Sequence, residues 1–237
     1  METVLITGAS RGIGRELARQ CVARGDRVIA TARREDALAG LRKEFGGHVL
    51  AVRCDVSDDT SIAEARRQVG DAVPSLDLLV NSAGIYSLHS DHWDPGATLF
   101  DTVSRRELEM VFDVNAAGPM LVLKAMLDLL RRSTRPRVLN LSSLLGSVTE
   151  RTVPGDYAYA ASKAALNIMT RTVAAEFRQD NIIAVVITPG WVHTEMGGAQ
   201  ATLSPEASVR GLLAVADRLT IADSGSFMDY QGVPQPW

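Results

Sequence analysis

Thr7-Gly8-Ala9-Ser10-Arg11-Gly12-Ile13-Gly14 is the stretch that decides the fold of this chain. A short apolar run over residues 3–7 leads into it. Helical spacing at Ile13, Leu17, Cys21 and Val22 follows it, and Gly25 ends the pattern. A strand, a glycine-rich turn and a helix in that order put the helix N-terminus at the turn. Free N–H groups and the positive end of the helix dipole then face whatever the glycines admit, and a diphosphate suits that place. A P-loop would close on Gly-Lys-Ser/Thr, an ending this stretch lacks.

Working outward, strand-like and helix-like segments alternate. Residues 27–32, 48–53, 76–81, 137–142 and 182–188 read as strands, with a short last one near 226–228. Residues 35–45, 157–178 and 205–219 read as helices. Asp58 or Asp59 can cap a further helix running to about Gly70. Ser104 and Glu107 have capping-box spacing and open a helical region expected to bend near Gly118-Pro119 and to end near Arg132. Residues 85–103 form a looser stretch containing Pro95 and Gly96. Short apolar strands separated by helices predict α/β architecture: one Rossmann-type domain over residues 1–237, a doubly wound parallel sheet with helices on both faces. Ligands in such sheets bind beyond the carboxyl ends of the strands, and the candidate residues gather there.

The 237 residues carry 25 basic and 28 acidic side chains, a formal charge of −3, with 46% apolar and 22% charged residues. This is globular composition without a basic field for nucleic acid. No apolar run reaches the roughly 20 residues of a membrane span. The first residues lack the basic flank of a secretory signal. Cys21 and Cys54 are far apart and read as buried small hydrophobes. A cytoplasmic setting is expected.

The second strand ends Ala30-Thr31-Ala32-Arg33-Arg34. An acid at position 32 would hold a ribose diol and mark NAD(H). Ala32 stands there instead, with Arg33 and Arg34 beside it and Arg11 in the glycine turn. Guanidinium forks suit a 2′-phosphate, so NADP(H) is favoured over NAD(H), the alternative being that these arginines are solvated surface charges. Asp55, after the third strand, can accept from an adenine amino group or cap the turn that follows it.

Six motifs in order then resemble the short-chain dehydrogenase/reductase family. They are Thr7–Gly14; Asn81-Ser82-Ala83-Gly84, with Ser82 where the family usually has a second asparagine; Asn115; Ser143; Tyr159-Ala160-Ala161-Ser162-Lys163; and Pro189-Gly190, followed by Thr194. The resemblance implies cofactor contacts from Gly8, Ser10, Arg11, Gly12, Ile13, Gly14, Arg33, Asp55, Val56, Asn81, Ala83, Gly84, Tyr159, Lys163, Pro189, Gly190, Val192 and Thr194. It implies catalytic roles for Asn115, Ser143, Tyr159 and Lys163, with Asn115 holding a water that relays protons to Lys163.

The chemistry can be argued beside it. Tyr159 and Lys163, four apart on a helix, share a face. A nearby ammonium is expected to lower the phenol from its usual value near 10, readying Tyr159 as general acid for a carbonyl and as base in reverse. Ser143 would bond the carbonyl oxygen as charge develops on it. Tyr157 falls off the lysine's face, and Ser142 alternates with Ser143 along the strand end.

The strings 189–198 and 223–230, with Pro236-Trp237, resemble the C-factor and sniffer-type carbonyl reductase branch. That implies reduction of an aldehyde, ketone or quinone. The alternative from the same branch is a nucleotide-binding signalling or interaction protein. A nucleotide-dependent methyltransferase shares the glycine turn but gives no reason for Tyr159 and Lys163. The substrate pocket is expected from residues 85–98 and a lid at about 191–210, in which Gly197 and Gly198 allow closure. Leu144, Val148, Val153, Trp191 and Met196 would make it apolar. His89 and His92, beside Asp91 and Asp94, read as a polar loop, and no metal is expected. A homodimer or homotetramer is expected through apolar residues of the long helices, among them Met110, Met120, Leu127, Ile168, Met169 and Phe177, with no nucleic-acid or membrane partner.

Overall fold

The computed structural model describes residues 1–86, 99–152 and 154–237. The expected loop over residues 85–98, with its histidines, therefore lies almost wholly outside the described residues, as does Val153.

β1 (Thr3–Ile6) ends at the glycine turn, inside which α1 (Gly12–Ala23) begins. β2 (Arg27–Ala32), α2 (Glu35–Phe45), β3 (Val49–Arg53) and α3 (Asp59–Ala72) follow. β4 (Leu78–Asn81) precedes α4 (Arg105–Phe112), α5 (Gly118–Arg131) and β5 (Arg137–Leu141). α6 (Tyr157–Glu176), β6 (Ile183–Thr188), α7 (Pro205–Arg218) and β7 (Phe227–Asp229) complete the order. All seven strands are parallel, arranged β3-β2-β1-β4-β5-β6-β7. The chain winds outward from β1 to β3, then returns to β4 and winds the other way. A crevice opens where the direction reverses, beyond the ends of β1 and β4.

Alternation along the strands makes a core on each face of the sheet. Val4 and Ile6 pack with Leu17, Leu38, Val209 and Leu212, from α1, α2 and α7. Leu5 and Leu79 pack with Ile62, Val122 and Met126, from α3 and α5. Both cysteines are free and buried. Asp58 caps α3, accepting from the N–H groups of Thr60 and Ser61.

Three expectations are refined or corrected. The helical region, expected to bend near Gly118-Pro119, has its irregularity just before that pair, in a π-helical turn over Asp113–Ala117. Pro119 has no N–H for the Asn115 carbonyl four residues back, and the hydrogen-bond ladder changes register there. Second, α4, this turn and α5 form one 27-residue run whose most apolar window has a mean hydropathy of 1.4. By length and composition it could span a membrane, although no unbroken apolar stretch is that long. Half of that window is buried, and the run packs against α3 and α6 as a core helix. Third, the proposed lid is shorter. Ser204 caps α7 through Ala207 N–H, and α7 buries Val209, Leu212 and Leu213. Only residues 191–204 remain outside a helix.

Candidate active site

A cleft of about 540 Å³ lies over the switch point. Its floor is the glycine turn: Gly8, Ser10, Arg11, Gly12, Ile13 and Gly14 all line it. A Cβ on Gly14 would sit 2.4 Å from the Gly8 carbonyl oxygen, so only glycine lets α1 start this close to β1. Thr7 Oγ1 accepts from the N–H groups of Ser82 and Ala83, tying the end of β1 to the loop after β4. The start of α1 has no side-chain cap and no acid in its first turn. A bare helix N-terminus over a cleft fits an anionic diphosphate, and the residues present fit a dinucleotide.

At one end, Ala32, Arg33, Arg34 and Asp36 line the cleft. The three arginines differ. Arg34 is paired with Asp36 through Nε–Oδ1 at 2.9 Å. Arg11 reaches Glu195 across the mouth at 2.5 Å. Arg33 forms no ion pair among the described residues and is exposed. Asp55 and Val56 line the middle. Asp55 Oδ1 also accepts from the N–H and hydroxyl of Ser57, so it holds its turn while facing the cleft.

At the other end, Ala83, Gly84, Tyr159 and Lys163 meet. A Cβ on Gly84 would lie 3.3 Å from Asn115 Oδ1 and 3.8 Å from Lys163 Nζ, so these two groups close around the glycine. Lys163 is buried and donates to the Leu141 carbonyl at 2.8 Å. Burial pulls its ammonium down to about 8. Its Nζ lies 5.6 Å from the centre of the Tyr159 ring. The phenol of Tyr159 is pushed up to about 12. Burial is the largest cause, a hydrogen bond with Ser143 works against it, and the charge of Asp156 adds to it. The expected lowering by Lys163 is overturned, because desolvation of the phenolate outweighs a cation placed off the hydroxyl.

Ser142 lines the cleft, but its Oγ is buried and donates to Asn167 Oδ1 at 2.7 Å; Ser143 does not line the cleft and hydrogen-bonds Tyr159. Tyr157 faces outward and packs edge-on against Phe100 at 5.5 Å.

Other assigned residues stand elsewhere. The Asn81 amide is buried, donating to Asn140 Oδ1 at 2.7 Å and to the Pro119 carbonyl at 3.3 Å. It knits β4 to β5 and turns away from the cleft. The Asn115 amide is occupied on both sides: Oδ1 accepts from Ile85 N–H, and Nδ2 donates to the Ile85 carbonyl and to Ser162 Oγ. Its side chain braces the loop after β4 against α6. Pro189 and Thr194 line the cleft. Gly190 and Val192 lie behind them on the same loop, with Val192 buried and bridged to Leu203.

Gly197 is not a hinge. A Cβ there would fall 2.0 Å from the Val192 carbonyl oxygen, so this glycine permits a tight fold of the loop. The Gly197 carbonyl accepts from Trp191 Nε1 at 2.8 Å and holds the loop closed on itself. Leu144, Val148, Trp191 and Met196 are all exposed, and of the four Met196 lines the cleft. Sequence reasoning missed Tyr86, whose ring lies 4.8 Å from that of Tyr159. Its place directly after the Asn81–Ile85 stretch was the available signal.

Comparison with known proteins follows this geometry. A family model described as short chain dehydrogenase matches residues 2–203. The C-signal protein of Myxococcus xanthus is 42% identical over 162 residues, 68% of this chain and 93% of that protein. The NADPH-bound carbonyl reductase from chicken fatty liver superposes with a TM-score of 0.90 at 30% identity, covering 100% of this chain and 99% of that one. The carbonyl reductase Sniffer of Drosophila melanogaster superposes with a TM-score of 0.89 at 28% identity, over the whole of both chains. With that match across most of its length, the chain belongs to the short-chain dehydrogenase family, in its C-factor and sniffer-type branch, and is an oxidoreductase of that family.

Proposed function

We propose that this oxidoreductase uses NADP(H) and reduces the carbonyl of an aldehyde, ketone or quinone to an alcohol. The observation that carries the reading is the state of Tyr159: a buried phenol, held protonated at neutral pH, at the edge of a dinucleotide-sized cleft. A donor that keeps its proton suits reduction. The nicotinamide, when bound, supplies the hydride. Tyr159 gives its proton to the carbonyl oxygen. Ser143 accepts from Leu145 N–H at 3.2 Å and hydrogen-bonds the Tyr159 phenol, and its hydroxyl would turn to the carbonyl oxygen as charge develops there. Lys163 keeps a positive charge under the phenol and has N–H groups left for ribose hydroxyls. Arg33 supports NADP(H), since its guanidinium has no ion pair among the described residues and Ala32 offers no carboxylate. The chicken liver relative is described as NADPH-bound. The exposed Met196 in the cleft lining supports a hydrophobic carbonyl.

NADPH oxidation against a panel of aldehydes, ketones and quinones tests the reading. Turnover that requires Tyr159 supports it, and no turnover with any of them defeats it. The likeness to C-signal favours one second reading, a nucleotide-binding signalling protein. It calls for NADPH binding without turnover, which the same assay separates. We also infer a homodimer or homotetramer. Of the residues expected at its interface, Leu127 and Phe177 pack on the core, while Ile168 is exposed with Leu108 and Phe112 nearby on the α4–α6 side. A 25.5 kDa particle by light scattering would count against assembly.

A further inference from the structure

The N-terminus of α6 contains a local anomaly. Asp156 occupies the N-cap position, where aspartate ordinarily accepts from the first turn of the helix. Here its carboxylate makes no cap bond. Its backbone is left-handed, with φ 53°, a conformation that aspartate adopts less readily than glycine. Both departures aim the carboxylate at one group, the hydroxyl of Tyr86, which donates to Asp156 Oδ1. The ring of Tyr86 in turn lies tilted at 45° against that of Tyr159, centroid to centroid 4.8 Å. Strain of this kind gathers at functional sites, and here a tertiary contact opposes both unfavourable local choices.

We propose that Tyr86 and Asp156 are a positioning pair for Tyr159: the carboxylate anchors the Tyr86 hydroxyl, and the anchored ring fixes the Tyr159 ring at the edge of the cleft. The proposal deepens the reading of Tyr159 as proton donor and rests on it. The pair acts through Tyr159 in two ways. Packing sets where the phenol points. The negative charge of Asp156 opposes ionisation of the phenol and so preserves its proton. The groups that face this phenol are Ser143 after β5, Lys163 on α6, Asp156 before α6 and Tyr86 after β4. Arg151, on the loop before α6, acts on Tyr86 and opposes the carboxylate's effect there. Ser143 favours the ionised phenol and Asp156 disfavours it, so the two bracket the acidity of the donor.

The test uses conservative variants of the full chain. Asp156→Asn keeps an acceptor for the Tyr86 hydroxyl and removes the charge. Tyr86→Phe keeps the ring and removes the anchor. Tyrosinate absorbance, titrated in the Tyr86→Phe background and assigned with Tyr159→Phe, reads the donor phenol without any turnover. Adding Asp156→Asn in that background should move its titration to lower pH by roughly half a unit or more. In carbonyl reduction, Tyr86→Phe should lower kcat by roughly tenfold with the KM for cofactor unmoved, as expected of a misaimed donor. The falling alkaline limb of the pH profile should move down in Asp156→Asn. Failure of the carbonyl reductase reading would show as an inactive parent and would leave the titration shift in place. An unmoved titration, together with a parental kcat in Tyr86→Phe, would overturn the pair.

Discussion

β5 joins two buried charges that behave in opposite ways. At its first residue, the Arg137 guanidinium is fully buried on the far side of the sheet from the cleft. Its Nη2 lies 2.6 Å from Glu2 Oε1, while Nη1 and Nε donate to the carbonyls of Ala216 and Arg135. Arg24, Asp26 and Asp217 extend that network. At the last residue of β5, the Leu141 carbonyl is the one hydrogen-bond partner of the buried Lys163 ammonium among the described residues. Both charges have left water, which is costly without compensation. Arg137 is compensated on several sides and stays a fixed cation that ties the N-terminal ends of β1 and β5 to α7. Lys163 is compensated on one side, and burial draws its acidity toward neutral. Several partners make a buried charge structural, and one partner leaves it available for chemistry.

The largest effect that would sharpen this contrast belongs to the cleft. Tyr159→Phe removes the donated proton and no cofactor contact from the glycine turn. Turnover should fall by roughly 10²–10⁴-fold with cofactor affinity nearly unchanged, read from initial rates and a binding titration. Near-parental carbonyl reduction would sink the mechanism.

Arg137→Met should do the reverse. It strands the Glu2 carboxylate, so about 2–4 kcal/mol of stability should be lost in urea unfolding. Glu2 is only partly buried, which places the loss toward the lower end. The folded variant should keep its kcat/KM. A loss of activity larger than the loss of stability would break the division between the two ends.

Cofactor choice comes next. Arg33→Ser should lower kcat/KM for NADPH by roughly ten- to a hundredfold and barely touch NADH, as expected for one charge-assisted hydrogen bond. Arg11→Ser should cost less, because Arg11 is already engaged by Glu195. Rising salt should shrink the Arg33 effect, since that side chain is exposed. Equal efficiency with both cofactors in the parent would show Arg33 to be a solvated surface charge.

The smallest effect is a pH dependence of stability. Lys163 is near 8 when folded and 10.5 in its ordinary state. Over pH 8 to 9 the unfolded chain binds more protons at this group, so unfolding free energy should rise from about 8 to about 9, before the buried thiols of Cys54 and Cys21, raised to about 11 and about 12, turn the trend downward. Lys163→Met should abolish that rise, as read from denaturant midpoints across the range. A parent curve that stays flat there would mean that the ammonium is better solvated than its burial implies.

Legibility followed the range of the interactions. The alternating strands, the turn at Thr7–Gly14 and the four-residue spacing of Tyr159 and Lys163 are local patterns, and each was readable. The π-helical turn was half readable: Pro119 announced a lost hydrogen bond, while the shift of register into Asp113–Ala117 depended on packing. The employment of Asn81 and Asn115 was not readable. Their partners, Asn140 and Ile85, are 59 and 30 residues away.

By itself the sequence determined that this chain makes a doubly wound sheet with a helix starting at a glycine turn, because strand period, helix period and glycine placement are properties of neighbouring residues. It also determined that a phenol, a hydroxyl and an ammonium would meet after β5 and on α6, and that no acid would stand at position 32. Only the tertiary structure decided what surrounds them. It placed Glu195 on Arg11 from 184 residues away and Asp36 on Arg34, leaving Arg33 without an ion pair among the described residues. It brought Tyr86 and Asp156 from 70 residues apart to the side of Tyr159. It also reversed the expected acidity of that phenol. Desolvation depends on everything packed around a group, and spacing along a helix says which face a side chain shares but not what covers it.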